Sequence, residues 1–151
     1  MIPLRLVLQN FLSYGEQAQT LDFTRFHIAC LSGANGHGKS ALLDAITWSL
    51  WGQARKGRHD RKPDEGLLRL GARQMRVEFT FDLDGGTHRV IRSFRRRPST
   101  NVTELELQIL NPETNAYRPL AEAGAVGATQ SHIDQLLSMD YDTFVNSAFL
   151  L

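Results

Sequence analysis

One stretch constrains this chain more than any other. Gly33-Ala34-Asn35-Gly36-His37-Gly38-Lys39-Ser40 fits the phosphate-binding pattern G-x-x-x-x-G-K-[ST] at every specified position. Before it runs Phe26-His27-Ile28-Ala29-Cys30-Leu31, an apolar run of strand length. After it, Lys39 to about Trp51 reads as a helix that stops at Gly52. Strand, glycine-rich loop and helix are the context such a motif requires, and together they predict a mononucleotide site in an α/β fold.

The residue types follow from the chemistry. Glycines let the backbone adopt left-handed angles and bring its N–H groups around phosphate oxygens, while the helix aims its positive N-terminal end at the same point. The predicted nucleotide contacts are therefore Gly33, Ala34, Asn35, Gly36, His37, Gly38, Lys39, Ser40 and Ala41, with His37 contributing its backbone N–H rather than its ring. Lys39 is expected to reach the β- and γ-phosphates of the nucleotide, and the Ser40 hydroxyl to ligate the Mg2+ that bridges them. No catalytic residue is assigned within the chain.

Other chemistries find less support. The five histidines do not combine with cysteine or acidic partners at metal-ligand spacing, and no serine lies in a G-x-S-x-G elbow. Cys30 is the single cysteine and reads as a small core residue in the strand before the loop. The 151 residues are 42% apolar and 22% charged, without an apolar run near the roughly 20 residues of a membrane span. With no secretory signal pattern at Met1-Ile2-Pro3-Leu4-Arg5, a cytoplasmic protein with no membrane contact is the expectation.

Along the chain, strands are predicted at about residues 2–9 and 18–23, paired antiparallel. The run from Phe26 to Leu31 carries apolar residues on both faces, as a strand buried on two sides does. In the helix, Leu42, Leu43, Ile46 and Leu50 form the predicted packing stripe, and Trp48 and Trp51 are read as core. Gln53 to Arg69 is read as a loop, either a solvated surface segment or one that lies near a polyanion. Strict alternation over Arg76 to Leu83 predicts a strand, Asp84-Gly85-Gly86-Thr87 a turn, and His88 to Arg95 the returning arm of a hairpin. Thr103 to Leu110 adds a third strand of a meander. A helix through residues 130–138 is expected to be capped by Thr129 or Ser131, with Ile133, Leu136 and Leu137 inward. The final Ala148-Phe149-Leu150-Leu151 is an apolar stretch that predicts a surface in need of a cover.

Taken in order, Asn10-Phe11-Leu12-Ser13-Tyr14, then Ser32 through Ile46, then Gly71-Ala72-Arg73, then Tyr141-Asp142-Thr143-Phe144-Val145-Asn146-Ser147 resemble one family across nearly the whole chain. It resembles the N-terminal ATPase half of SbcC-type, SMC-like DNA double-strand-break repair ATPases. The resemblance implies a P-loop NTPase fold of the ABC/SMC head type, with residues 1–151 as the N-terminal lobe of mixed and antiparallel sheet plus P-loop helix. It implies that the chain ends just short of the Q-loop glutamine, and that a C-terminal segment carries the signature motif and the Walker B acidic residues. Partners implied are that segment, a second head in a homodimer, a nuclease of the SbcD type, and double-stranded DNA. Such a chain alone should bind nucleotide better than it hydrolyses it. Leu12 departs from the family, many of whose members place a basic residue there near the nucleotide.

For DNA, the candidate phosphate contacts are Lys56, Arg58, Arg61 and Lys62 in the loop, and Arg89, Arg92, Arg95, Arg96 and Arg97 on the hairpin. The other reading of these residues is solvated surface. Another SMC-type or RecF-like recombination ATPase, and a nonenzymatic nucleotide-dependent interaction module, remain as alternative functions.

Overall fold

The computed structural model describes residues 1–28, 30–35, 38–54, 63–121 and 125–148. Among these, six strands form one antiparallel sheet in the order β2-β1-β3-β4-β5-β6. They are β1 (Ile2–Gln9), β2 (Gln19–Asp22), β3 (Gln74–Leu83), β4 (Gly86–Arg95), β5 (Val102–Asn111) and β6 (Ala116–Pro119). The helices are α1 (Lys39–Trp51), α2 (Pro63–Leu67), α3 (Val126–Leu137) and α4 (Tyr141–Ala148).

Alternation sets which face of the sheet is covered. Met75, Val77, Phe79 and Phe81 of β3 stand on one face and are almost fully buried. Across the ladders they meet Leu6 and Leu8 of β1 and Phe94, Arg92, Val90 and His88 of β4. Leu105 and Leu107 of β5 extend the same face. The β3–β4 connection is a tight turn with Asp84 and Gly85 both at positive φ, the geometry that matches the twist of two-residue hairpins.

Helix α1 runs between two glycines. Gly38 before it and Gly52 after it both lie in the left-handed region, and the Gly52 N–H donates to the Trp48 carbonyl at 2.8 Å. Its buried side chains include Ala41, Asp44, Ala45, Trp48 and Leu50, whereas Leu42, Leu43 and Ile46 are only half-buried. The predicted stripe is therefore displaced. Small Ala41 and Ala45 let the helix approach the core closely, and Trp48 fills the space beyond them, 5.6 Å from the Phe11 ring.

Other expectations are corrected too. The described residues of the run from Phe26 to Leu31 form no strand, and Ile28 is 92% exposed and Leu31 49%. Cys30 is exposed rather than core. Within the segment read as a loop, α2 forms and delivers Leu67 and Leu68 to the core, where Leu68 bridges to Phe11. The remainder of that segment, residues 55–62, lies outside the described residues. Helix α3 starts earlier than expected, with Ala125 as its cap residue and no side-chain cap; Thr129 is buried inside it. The edge strand β6 has no counterpart among the strands expected from the sequence.

Candidate nucleotide-binding site

The site is built where the loop after β1, the start of α1 and the end of α2 converge. Asn10 and Leu12 hold positive φ angles, and the turn they make is fastened from several sides. The Asn10 N–H donates to the Gly15 carbonyl at 2.8 Å and the Leu12 N–H to the Leu67 carbonyl at 2.8 Å. The Arg69 N–H donates to the Asn10 carbonyl at 2.9 Å, and its guanidinium donates to the Ser13 carbonyl at 2.8 Å. This turn sets Ser13 and Tyr14 against Gly38.

A side chain at position 38 would press on that contact. A Cβ added there would lie 2.6 Å from Ser13 Oγ and 3.3 Å from the Tyr14 ring, at a φ of +82°. The Tyr14 hydroxyl donates to the Gly38 carbonyl at 3.3 Å, and burial pushes its phenol pKa up, which keeps it a neutral donor. The last glycine of the motif thus suits its place by backbone angle, and any added side chain would also have to turn Ser13 Oγ aside.

Lys39 folds back over the loop. Its ammonium donates to the Gly33 carbonyl at 2.6 Å and to the Ala34 carbonyl at 2.9 Å, which holds a cation above the N-terminal end of α1. Beside it opens a cavity of about 460 Å3, lined by Leu12, Ser13, Asn35, Gly38, Lys39, Ser40, Ala41, Asp44 and Leu68. Of its lining residues Ser40 is exposed and Asp44 is buried. The cavity therefore gathers, from distant stretches, the charge and hydrogen-bond donors suited to a polyphosphate. Gly36 and His37 lie outside the described residues. Leu68 and Asp44 belong to the lining without having been singled out in the sequence. For Asp44 the available signal was spacing, since it stands one helical turn after Ser40, whereas Leu68 carried none.

The donor set also fits a hard cation. Ser40 and Asp44 offer oxygen, and no group of three or more histidine, cysteine or acidic residues that could hold a metal by itself occurs among the described residues. Magnesium is usually held by one or two protein oxygens together with substrate phosphates, so this sparse set suits it.

The basic candidates separate. Arg92 is 4% exposed and does not face solvent. Its Nε donates to the Ser49 carbonyl at 3.1 Å and another guanidinium nitrogen donates to Gln130 Oε1 at 2.6 Å, so its assignment to DNA is corrected. Burial pulls its pKa down to about 10, against the opposing pull of Asp64 and Asp134. Arg89 is engaged with Gln108 and lies 3.7 Å over the Tyr117 ring. Arg95, Arg96 and Arg97 are exposed at the end of β4. Lys56, Arg58, Arg61 and Lys62 lie outside the described residues.

The family model for the AAA domain matches residues 5–150. The chain belongs to that family. Among relatives of this AAA domain, the SbcC component of the SbcCD nuclease of Deinococcus radiodurans is 34% identical over 151 residues, covering 99% of this chain and 16% of that protein. A "DNA double-strand break repair Rad50 ATPase" of Thermoplasma acidophilum is 33% identical, covering 99% of this chain and 15% of that protein. The chain thus spans about one sixth of the length of these relatives. A solved chain from work on ATP-driven dimerization and DNA-stimulated activation of SMC ATPases superposes with a TM-score of 0.61 at 23% identity. That match covers 95% of this chain and 84% of the other. The AAA domain of this chain has the fold of a P-loop NTPase head lobe, and the resemblance to SbcC-type ATPases read from its motifs holds across the chain. Among the described residues no helix is long and apolar enough to cross a membrane.

Proposed function

We propose that this chain is the ATP-binding part of a DNA-repair ATPase head, in which ATP-driven pairing of two heads is coupled to double-stranded DNA and to a partner nuclease during double-strand-break processing. The observation that carries the reading is the Lys39 ammonium, held by the Gly33 and Ala34 carbonyls beside a cavity lined by Ser40 and the start of α1. The names of the relatives, a nuclease component and double-strand break repair ATPases, support the biological part.

In this reading the β- and γ-phosphates take the place of the two carbonyls as partners of Lys39, and the backbone N–H groups at the start of α1 donate to phosphate oxygens. Ser40 and, behind it, Asp44 hold the side of the cavity where Mg2+ would bind. That ion supplies charge neutralisation of the β- and γ-oxygens. Tyr14 and Ser13 keep the Gly38 backbone pressed into the arrangement that the cradle needs. Groups that orient an attacking water are expected from a C-terminal head segment, so binding precedes and exceeds turnover in this chain alone. Arg95, Arg96 and Arg97, exposed at the end of β4, are the candidates for contacts to DNA phosphates, and the soluble, cytoplasmic and nucleoid-associated setting belongs to the same proposal.

The test is an ATPase assay with and without a separately expressed C-terminal head segment, and with and without duplex DNA. Activity that emerges only with the segment is expected. Robust turnover by this chain alone would overturn the split-head reading, and unchanged ATP affinity in Lys39→Ala would overturn the loop assignment.

A further inference from the structure

Asp44 is the least expected member of the cavity lining. It is 3% exposed, and a carboxylate at that depth is costly to keep charged unless donors or a cation face it. It lies four residues after Ser40 on α1, so the two side chains share one face, and helix geometry tilts the Asp44 side chain back toward the N-terminus where Ser40 stands. Both line the same cavity as Lys39.

We propose that Asp44 is the positioning residue for the divalent cation: its carboxylate lies behind Ser40 as an outer-sphere acceptor that orders the water or hydroxyl ligands of Mg2+ and makes the nucleotide site depend on the ion. The inference rests on the nucleotide reading given above. Its physical content is a sign. A carboxylate in the same cavity as a polyphosphate repels it when no cation lies between them, and attracts the cation–nucleotide complex when one does. Asp44 thus lowers the affinity for free ATP and raises that for the magnesium complex. Outer-sphere partners of this type typically govern 10- to 100-fold in metal affinity. A residue that merely supported the fold would shift both affinities in the same direction.

The experiment measures ATP affinity of the full chain by titration calorimetry, once with excess Mg2+ and once with EDTA, for wild type, Asp44→Asn, Ser40→Ala and the double variant. In Asp44→Asn the gain on adding Mg2+ should fall by about tenfold or more, while the affinity in EDTA holds or rises. Because Asp44 acts through the ion at Ser40, the double variant should lose no more of the magnesium gain than Ser40→Ala alone. A magnesium gain unchanged in Asp44→Asn, a parallel fall in both affinities, or additive losses in the double variant would overturn the proposal. Should Asp44→Asn fail to reach the wild-type near-ultraviolet circular dichroism, Asp44→Ser, neutral and smaller, is read in its place by the same criteria. Failure of wild type to bind ATP under either condition would instead overturn the nucleotide reading itself.

Discussion

Arg92 permits a worked prediction about what holds α1 in place. Its guanidinium sits on the covered face of the sheet, opposite Val77 and Leu105, and reaches the C-terminal end of α1 at the Ser49 carbonyl. Gln130 of α3 accepts from it and in turn donates to the Leu50 carbonyl at 2.9 Å, so one side chain ties β4, α1 and α3 together. Burial draws its pKa from the ordinary 12.5 to about 10, which corresponds to roughly 3 kcal/mol of penalty on the charged form. Against this stand two charge-assisted hydrogen bonds of about 1.5–3 kcal/mol each, and a cation at a helix C-terminus adds roughly 0.3–2 kcal/mol. At the lower ends of these ranges the charge no more than breaks even, and the packing of the guanidinium over Trp48 and beside Gly52 then weighs in the outcome. Both variants take the Nε donor from the Ser49 carbonyl; Arg92→Met, which keeps most of the volume, should cost about 1–2 kcal/mol, whereas Arg92→Ala, which also leaves a cavity, should cost about 3–5 kcal/mol. Urea denaturation followed by the fluorescence of Trp48 and Trp51 measures both. If Arg92→Met proves as destabilising as Arg92→Ala at equal m-values, the charge and its bonds dominate and the reasoning fails.

Further outcomes follow from the same geometry. Gly38→Ala forces a left-handed alanine, about 1–2 kcal/mol of strain, and displaces Ser13 or Tyr14, so ATP affinity should fall about tenfold or more; unchanged binding would mean that the loop relaxes freely. Asp64→Ala deprives Trp48 Nε1 of its acceptor at 2.7 Å and Thr103 of its own at 3.1 Å, and should lower stability by about 1–3 kcal/mol in the same urea titration. Asp140 accepts from the Thr143 N–H at 2.8 Å at the start of α4, and the Thr143 hydrogen bonds, side chain before backbone, lower its pKa. A carboxylate lowered on folding stabilises above its unfolded value of 3.8 and loses that contribution as pH falls through its depressed folded value. The Thr143 amide should therefore lose hydrogen-exchange protection below about pH 3.8. Asp140→Asn should remove that dependence while keeping the cap. Finally, exposed Ile28 and Leu31 predict self-association of the 151-residue chain, which Ile28→Glu should reduce in sedimentation velocity.

The parts of the fold that could be read in the sequence are those in which one local signal has no competitor. Strict alternation over Val77, Phe79 and Phe81, followed by a glycine turn, leaves one register for β3 and β4, and the pattern in Leu105 and Leu107 adds β5. The boundaries of α1 were legible because Gly38 and Gly52 are the residues its two left-handed ends require. Its packing face was not legible. Apolar residues surround most of the helix, and spacing alone does not favour Leu42 and Ile46 over Ala41, Ala45 and Trp48. The parity of β4 did contain the fate of Arg92, which alternates with buried Val90 and Phe94, but its charge drew attention to solvent. Helix α3 begins without a side-chain cap, so the serine and threonine inside it gave a false start. The short edge strand β6 ends on Pro119 and has too few residues for a period to show.

The candidate site was legible as a motif but not as an enclosure, and the difference lies in how its walls are made. Lys39, Ser40 and Gly38 are adjacent in the chain and announce themselves. Leu12 and Ser13 are brought there by a turn whose bonds reach Leu67 and Arg69, more than fifty residues away. Helix α1 links the two. Its N-terminal end faces the cavity, and its C-terminal end is clamped by Arg92 from the sheet and by Trp51, whose Nε1 donates to the Met139 carbonyl and whose rings meet Tyr141 and Phe144 of α4. At about 1.5 Å per residue, its 13 residues place these ends roughly 20 Å apart on one stiff rod. Arg92, Gln130 and Trp51 thus fasten the end of α1 remote from the cavity to β4, α3 and the start of α4, while its other end contributes Lys39, Ser40 and Ala41 to the cavity lining.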